Sequence, residues 1–396
     1  MADTSWQNWS GSIRFTPGQI VRPGSEEELA LVVANAAGEN KTVRVVGAGH
    51  SSMPLVQTSD VVVSLERMKG VVAHDAARCR ATILPGMTVD EASKALLQLG
   101  LAMHNTGDVD VQCVSGAIGT GTHGSGINLG NLSWMLAGMR MVTAKGAVGE
   151  HSLESDPEML NAARVALGSL GIFSALTLQL QPAYKLLRHE WCADLETTLA
   201  HFTELVHANR HFDMYWYPRS DEVKLRTANE PGRGMTEITW ARQVKEELGW
   251  VGEILPRHRT LKFEEMEYAV PEDAGLACFT EVRRRVLDRH RQYVGWRVLY
   301  RTVAADGGWL SPFHGRASAT IAILQNVGLE YWAYFKDIEP IFRAYGGRPH
   351  WGKKHTLLAA DLRRLYPCWD NFLQLRAQMD PAGTFLNPYL RGLFGL

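Results

Sequence analysis

Ten consecutive residues, Val-Arg-Val-Val-Gly-Ala-Gly-His-Ser-Ser at positions 43–52, constrain this chain more than any other stretch. Val43, Val45 and Val46 suit a buried strand, and Gly47 and Gly49 supply the positive φ or close backbone approach that a bound ligand demands. His50 then projects from a rigid turn. A Gly-x-Gly after a strand suits a nucleotide, but the third glycine of G-x-G-x-x-G would fall at Ser52, which removes the nicotinamide dinucleotide fingerprint. On spacing alone, a tight strand-to-loop turn holding a hydrogen-bonded histidine fits equally well.

A second glycine-rich stretch, Ser-Gly-Ala-Ile-Gly-Thr-Gly-Thr-His-Gly-Ser-Gly at 115–126, reads as a loop lying against something flat and polar. It offers backbone N–H groups and hydroxyls to phosphates or a ring edge. Ile118 and His123 break the flexibility that a linker would want.

Between and around these stretches, helix and strand signals interleave. Ser25 before Glu26, Glu27 and Glu28 predicts a capped helix running through Leu29 and Val33 towards Gly38, and Thr88-x-x-Glu91 predicts another that Gly100 closes. Strands are expected at 61–63, 70–73, 80–84, 139–144 and 175–180, and a helix end at 164–173. The interleaving lacks the regular βαβ spacing of a parallel barrel, so an α+β domain is expected, with a boundary at Gln181-Pro182. Beyond it, residues 212–217 and 296–303 read as antiparallel strands. Residues 273–293 read as a charged helix whose Arg283-Arg284-Arg285 run is a solvated face.

With 396 residues and 45% hydrophobic composition, the length prior is two to three domains. A formal charge of -1 gives no electrostatic case for nucleic acid or an anionic membrane surface. Five widely spaced cysteines without a C-x-x-C pair point to free thiols in a reducing compartment, and no metal site is expected. Residues Met1 to Trp6 show no basic flank and no apolar run, and the sequence has no membrane-length apolar stretch, so a cytoplasmic location without membrane insertion is the expectation.

Four motifs together become specific: Gly-Ala-Gly-His-Ser-Ser at 47–52, Gly-Thr-Gly-Thr-His-Gly-Ser-Gly at 119–126, Arg-Pro-His-Trp-Gly-Lys at 348–353 and Asp-Pro-x-Gly-x-Phe-x-Asn at 380–387. The combination resembles the aldonolactone and alditol oxidases of the vanillyl-alcohol-oxidase group of flavoproteins, from about Trp6 to Leu396. The resemblance implies an FAD-binding domain of two α+β subdomains (PCMH-type) over 1–182. It further implies an α+β substrate or cap domain built on an antiparallel sheet over 183–370, and a segment, 371–396, that returns to the FAD domain. It implies FAD bonded covalently to His50. The expected cofactor contacts are Val46, Gly47, Ala48, Gly49, Ser51, Ser52, Ser115, Gly116, Ala117, Gly119, Thr120, Thr122, His123, Gly124, Gly171, Ile172 and Asn387. Cys113 raises a second possible attachment point, since some relatives use histidine and cysteine together.

The chemistry implied by the resemblance is hydride transfer from a carbinol carbon of a polyol, sugar or aldonolactone to flavin N5, with O2 reduced to H2O2. The alternatives are a dehydrogenase that uses another electron acceptor, and a non-catalytic flavin- or carbohydrate-binding protein. Arg301 and Lys353 match the family's active-site cations, which stabilise developing negative charge in a dry pocket. His350, ahead of His355, is the candidate proton acceptor. Relatives carry a glutamate two positions before the arginine, and here Leu299 stands there. Loss of that acceptor points to a less polar or differently shaped alcohol unless Glu330 or another residue compensates.

Overall fold

The computed structural model describes residues 5–255 and 260–396, so the first four residues, on which the leader reading bears, lie outside the described residues. The helix Glu26–Gly38 begins where the sequence predicts: Ser25 Oγ accepts from the Glu28 N–H at 3.2 Å, and three carboxylates occupy the positive first turn. The Glu28 carboxylate reaches back to Gly24 N–H at 2.7 Å, one residue beyond capping-box geometry. The helix packs Leu29, Val33 and Ala36 against Val43, Val61 and Val63 of a three-stranded parallel sheet. Its central strand, Val61–Ser64, lies between Gln19–Val21 and Val43–Val46.

A five-stranded antiparallel sheet stands beside it, in the order Val148–Ser152, Leu136–Val142, Ile172–Gln179, Arg80–Ile83 and Val71–Asp75. The helix Val89–Gln98 starts with a reciprocal capping box between Thr88 and Glu91 and ends at Gly100, whose φ is +69°. Arg44 is buried inside this half. Its guanidinium donates to the carbonyls of Leu55, Leu167, Gly168 and Phe385 and so ties the parallel sheet to two distant loops.

The largest sheet has eight strands, in the order Arg242–Trp250, Lys185–Asp194, Glu222–Asn229, His211–Tyr217, Val298–Val303, Ser318–Asn326, Phe263–Pro271 and Arg348–Pro349. Register decides what its faces carry, because side chains alternate. Tyr215 lies opposite Leu299, Leu299 and Glu267 both lie opposite Ala322, and Glu265 lies opposite Leu324. One face therefore collects Tyr215, Leu299, Arg301, Leu324, Glu265 and Glu267. The other face sends Met214, Tyr300, Ile321, Ile323 and Met266 into the main core with Phe279 and Phe335 of helices Gly275–Arg289 and Trp332–Ala344.

Three local expectations need correction. The 115–126 stretch is not all loop: Val114–Thr120 is a helix, because Ala117 and Ile118 are buried and anchor it despite its glycines, and Gly121 ends it at φ +72°. The helix expected to end within 164–173 stops at Ala163, and the chain turns through Leu167 and Gly168, both at positive φ, before Ile172–Gln179. The Arg283-Arg284-Arg285 run is not a purely solvated face, since Arg283 pairs with Asp221 and Glu196, and Arg285 with Asp337. Among the described residues no helix is long and apolar enough to cross a membrane.

Candidate active site

Two cavities meet at the end of the Val43–Val46 strand. The first, about 350 Å³, is lined by Val46, Gly47, Ala48, Gly49, His50 and Ser51, by the Val114–Thr120 helix through Ser115, Gly116, Ala117, Gly119 and Thr120, and by Gly171 and Ile172. The second, about 110 Å³, is lined by Ser52, Thr122, His123, Arg301, His350 and Lys353, with Asp108, Tyr215, Glu265 and Leu299. His50, Ser51, Gln112 and Thr120 line both, so they mark the junction.

The first cavity suits a large flat cofactor. A Cβ added at Gly116 or Gly119 would meet no protein atom within 4 Å, so the helix backbone stands open to the cavity. Gly47, by contrast, is needed for close packing: a Cβ there would lie 3.0 Å from Cys113 Sγ. Gly49 has φ +70°, and its carbonyl accepts the Trp9 N–H at 2.7 Å. The Trp9 ring stacks on His50 at 4.9 Å, which fixes the imidazole at the junction. Cys113 lines the same cavity, and burial pushes its thiol up, away from the thiolate that reacts.

The second cavity is built on one buried carboxylate. Glu267 accepts from Arg301 Nη2 at 2.7 Å, pairs with Lys353 Nζ, and lies 3.3 Å from His123 Nε2. Burial alone would raise its pKa, but Arg301, Lys353 and His123 outweigh that and hold it well below the usual carboxylate range. Arg301 is raised in turn: burial works against its charge, and Glu267 more than restores it. Lys353 bridges Glu267 to Glu265, whose Oε1 is 2.8 Å away. Burial raises Glu265, partly offset by Lys353 and reinforced by the charge of Glu267.

Burial and the neighbouring Lys353 hold His350 well below its ordinary value, so the ring is neutral. Its Nδ1 accepts the Gly352 N–H at 3.1 Å, which leaves the ring proton on Nε2. In this arrangement His350 lines the second cavity as a neutral ring with its N–H on Nε2.

Other expected residues lie elsewhere. Gly124 lines neither cavity; a Cβ there would fall 2.2 Å from Asn105 Oδ1, so it is glycine for packing. Asn387 caps the helix Pro388–Phe394 and donates to the carbonyls of Pro54, Leu55 and Gln57, holding the chain below the junction instead of meeting the cavity. His355 is buried beside Trp351 and pushed down to about 4 by burial, outside the second cavity. Glu330 does not replace the acceptor missing at Leu299, because it caps the Trp332–Ala344 helix through the N–H groups of Trp332 and Ala333. Sequence reasoning missed Glu265 and Glu267. The signal available was the Phe-Glu-Glu-Met-Glu-Tyr-Ala-Val-Pro run at 263–271, where two carboxylates two residues apart share one face of a strand.

The fold matches cholesterol oxidase from B. sterolicum with a TM-score of 0.86 at 15% identity, covering 99% of this chain and 96% of that one. Residues 17–151 match the FAD binding domain family. Fold and family match thus define a flavoprotein with a PCMH-type FAD-binding domain. Residues 176–257 and 232–393 match D-arabinono-1,4-lactone oxidase, and the chain belongs to that family. It is 35% identical to L-gulono-1,4-lactone dehydrogenase of Mycobacterium tuberculosis over 98% of this chain and 99% of that protein. It is 28% identical to L-gulonolactone oxidase of Mus musculus, with 98% of each chain covered. It is 30% identical to alditol oxidase of a Streptomyces species, over 98% of this chain and 99% of that protein.

Proposed function

We propose that the protein oxidises a carbinol carbon of an aldonolactone, sugar or polyol, using FAD bonded through His50 and O2 as electron acceptor, with H2O2 as product. The observation that carries this reading is the junction: the histidine of the glycine turn stands where a glycine-lined cavity opens into one lined by Arg301, Lys353 and His350. Bound FAD supplies a hydride-accepting ring and a route for two electrons to oxygen.

The protein's own side chains prepare that chemistry. Glu267 fixes Arg301 and Lys353 in position, and these partners hold its carboxyl well below the usual carboxylate range. Two cations held there favour negative charge developing on a substrate oxygen or on the cofactor. His350 offers Nε2–H as a further donor, and burial of the cluster keeps water from screening it.

The test is anaerobic mixing of the holoenzyme with L-gulono-1,4-lactone and with xylitol, followed by admission of air. Bleaching of the flavin by either alcohol and recolouring in air with peroxide release are expected. Failure of both to bleach it overturns the substrate class. Bleaching without recolouring favours the second reading, a dehydrogenase, which the dehydrogenase name of the mycobacterial relative supports.

A further inference from the structure

The second cavity holds one cation that the chemistry above does not use. Arg297 stands one residue before the strand Val298–Val303, and because side chains alternate it lines the cavity from the same sheet face as Leu299 and Arg301. Its guanidinium lies 4.3 Å from the centroid of the Tyr215 ring and 5.2 Å from that of Trp296. Arg226 lies over the same Tyr215 ring at 4.5 Å, and the Tyr215 hydroxyl donates to Asp108 at 3.1 Å, so the ring that carries Arg297 is itself held. Arg226 pairs with Asp108 and Asp213, and Arg301 and Lys353 pair with Glu267 and Glu265. Arg297 makes no ion pair among the described residues, and its Nε is buried without a hydrogen-bond partner among them.

Register sets how far apart the two guanidiniums stand. Tyr215 lies opposite Leu299, Leu299 opposite Ala322 and Ala322 opposite Glu267, so Tyr215 and Glu267 are three strand spacings apart, roughly 14 Å across the sheet. Arg297 is drawn to the Tyr215 end and Arg301 to the Glu267 end. Between them Leu299 and Leu324 form a floor without hydrogen-bonding groups. A polyhydroxylated chain suits this layout: its C–H faces rest on the floor, while its hydroxyls, which both donate and accept, reach the charged ends.

We propose that Arg297 binds the hydroxylated tail of the substrate, at the end remote from the carbinol that Arg301 and Lys353 hold, and so sets the chain length that the enzyme accepts. The inference rests on the reading of the protein as a flavoenzyme that oxidises lactones and polyols, and it assigns a tail subsite within that reading. A guanidinium without an ion-pair partner loses water when a ligand enters, and tail hydroxyls replace that water with charge-assisted hydrogen bonds. A substrate too short to reach Arg297 leaves its donors unsatisfied. Because the contact lies away from the reacting carbon, it is made equally in the ground state and the transition state, so its loss raises KM with little change in kcat.

The test measures reduction of the holoenzyme flavin by two pairs of alcohols that differ in their tails. Xylitol is set against glycerol, and L-gulono-1,4-lactone against L-erythrono-1,4-lactone, which keeps the ring hydroxyls and lacks the tail. In the wild type kcat/KM is expected to favour the longer member of each pair that reduces the flavin, by about thirtyfold or more. Arg297→Gln is expected to cut that ratio about tenfold or more, through a higher KM for the longer member with kcat within about threefold, and with the Tm and flavin content of the wild type. Arg297→Lys keeps a charge but not the planar fork; it is expected to cut the ratio about threefold, and it decides the matter if the glutamine variant does not fold. Equal use of both members by the wild type, or an unchanged ratio in a folded variant, overturns the inference while leaving the alcohol-oxidising activity standing. An equal fall in kcat for both members overturns it as well, since that marks a structural role for Arg297. Absence of reduction by all four alcohols overturns the inference and the alcohol-oxidising reading together.

Discussion

At the residue scale, Glu267 holds the site together electrostatically. It faces two cations and an imidazole with 1% of its surface exposed, and removing one partner of a buried pair leaves the others uncompensated. Glu267→Gln is expected to destabilise the protein by about 3 kcal/mol in urea unfolding and to cut flavin reduction by at least about tenfold. The pH dependence has a definite sign. A carboxyl depressed on folding contributes stability above its ordinary value, and that stability is lost as pH falls through the folded value. Unfolding curves from pH 7 down to pH 3 should therefore show a smaller acid loss in Glu267→Gln than in the wild type. Glu265 is raised and acts with the opposite sign: its stabilising part is present below the ordinary glutamate range and fades as pH rises. Lys353 could be singled out from its Arg-Pro-His-Trp-Gly-Lys motif and Arg301 from the family resemblance, and the structure brings both to the second cavity. Glu267 could not be singled out, because its partners are 34 residues away at Arg301 and 86 away at Lys353, and only strand pairing joins them.

At the element scale, legibility followed locality. The Thr88–Glu91 capping box is written within four residues and appears as predicted. Thr88→Ala is expected to cost about 1 kcal/mol in equilibrium unfolding without changing the flavin spectrum. The Val114–Thr120 helix was hidden because glycine propensity argues against it, and burial of Ala117 and Ile118 overrides that local preference. His350 shows the same limit on a smaller scale: its motif marked it as a candidate, but the orientation of its ring depends on a backbone N–H at Gly352 that only the folded turn presents. Gly124, taken for a cofactor contact, instead permits close approach of the Asn105–Thr106 segment, with Thr106 O 2.3 Å from where a Cβ would stand. Gly124→Ala is expected to lose about 2 kcal/mol of stability or more, a packing effect that urea titration of the apoprotein would register without any cofactor present.

At the scale of the whole molecule, the sheets supply two surfaces that must meet edge to edge: a glycine-lined groove from the N-terminal half and a charged face from the eight-stranded sheet. Ser52 N–H to Gly352 O at 2.7 Å and Lys354 Nζ to Ser52 O at 2.8 Å tie the two together immediately beyond His50. Arg44 secures the groove from behind, and burial lowers its pKa to about 10 while its four carbonyl partners keep it satisfied. The α+β class and the antiparallel character of the second half could be read from strand patterns, whereas this junction could not, since it depends on contacts some 300 residues apart. The proposed chemistry requires the flavin to be held at that junction by His50. Peptide mapping of the purified holoenzyme by mass spectrometry tests this most directly: flavin is expected on the peptide containing His50 and none on the peptide containing Cys113. An unmodified His50 peptide, with all of the flavin released on denaturation, would contradict it.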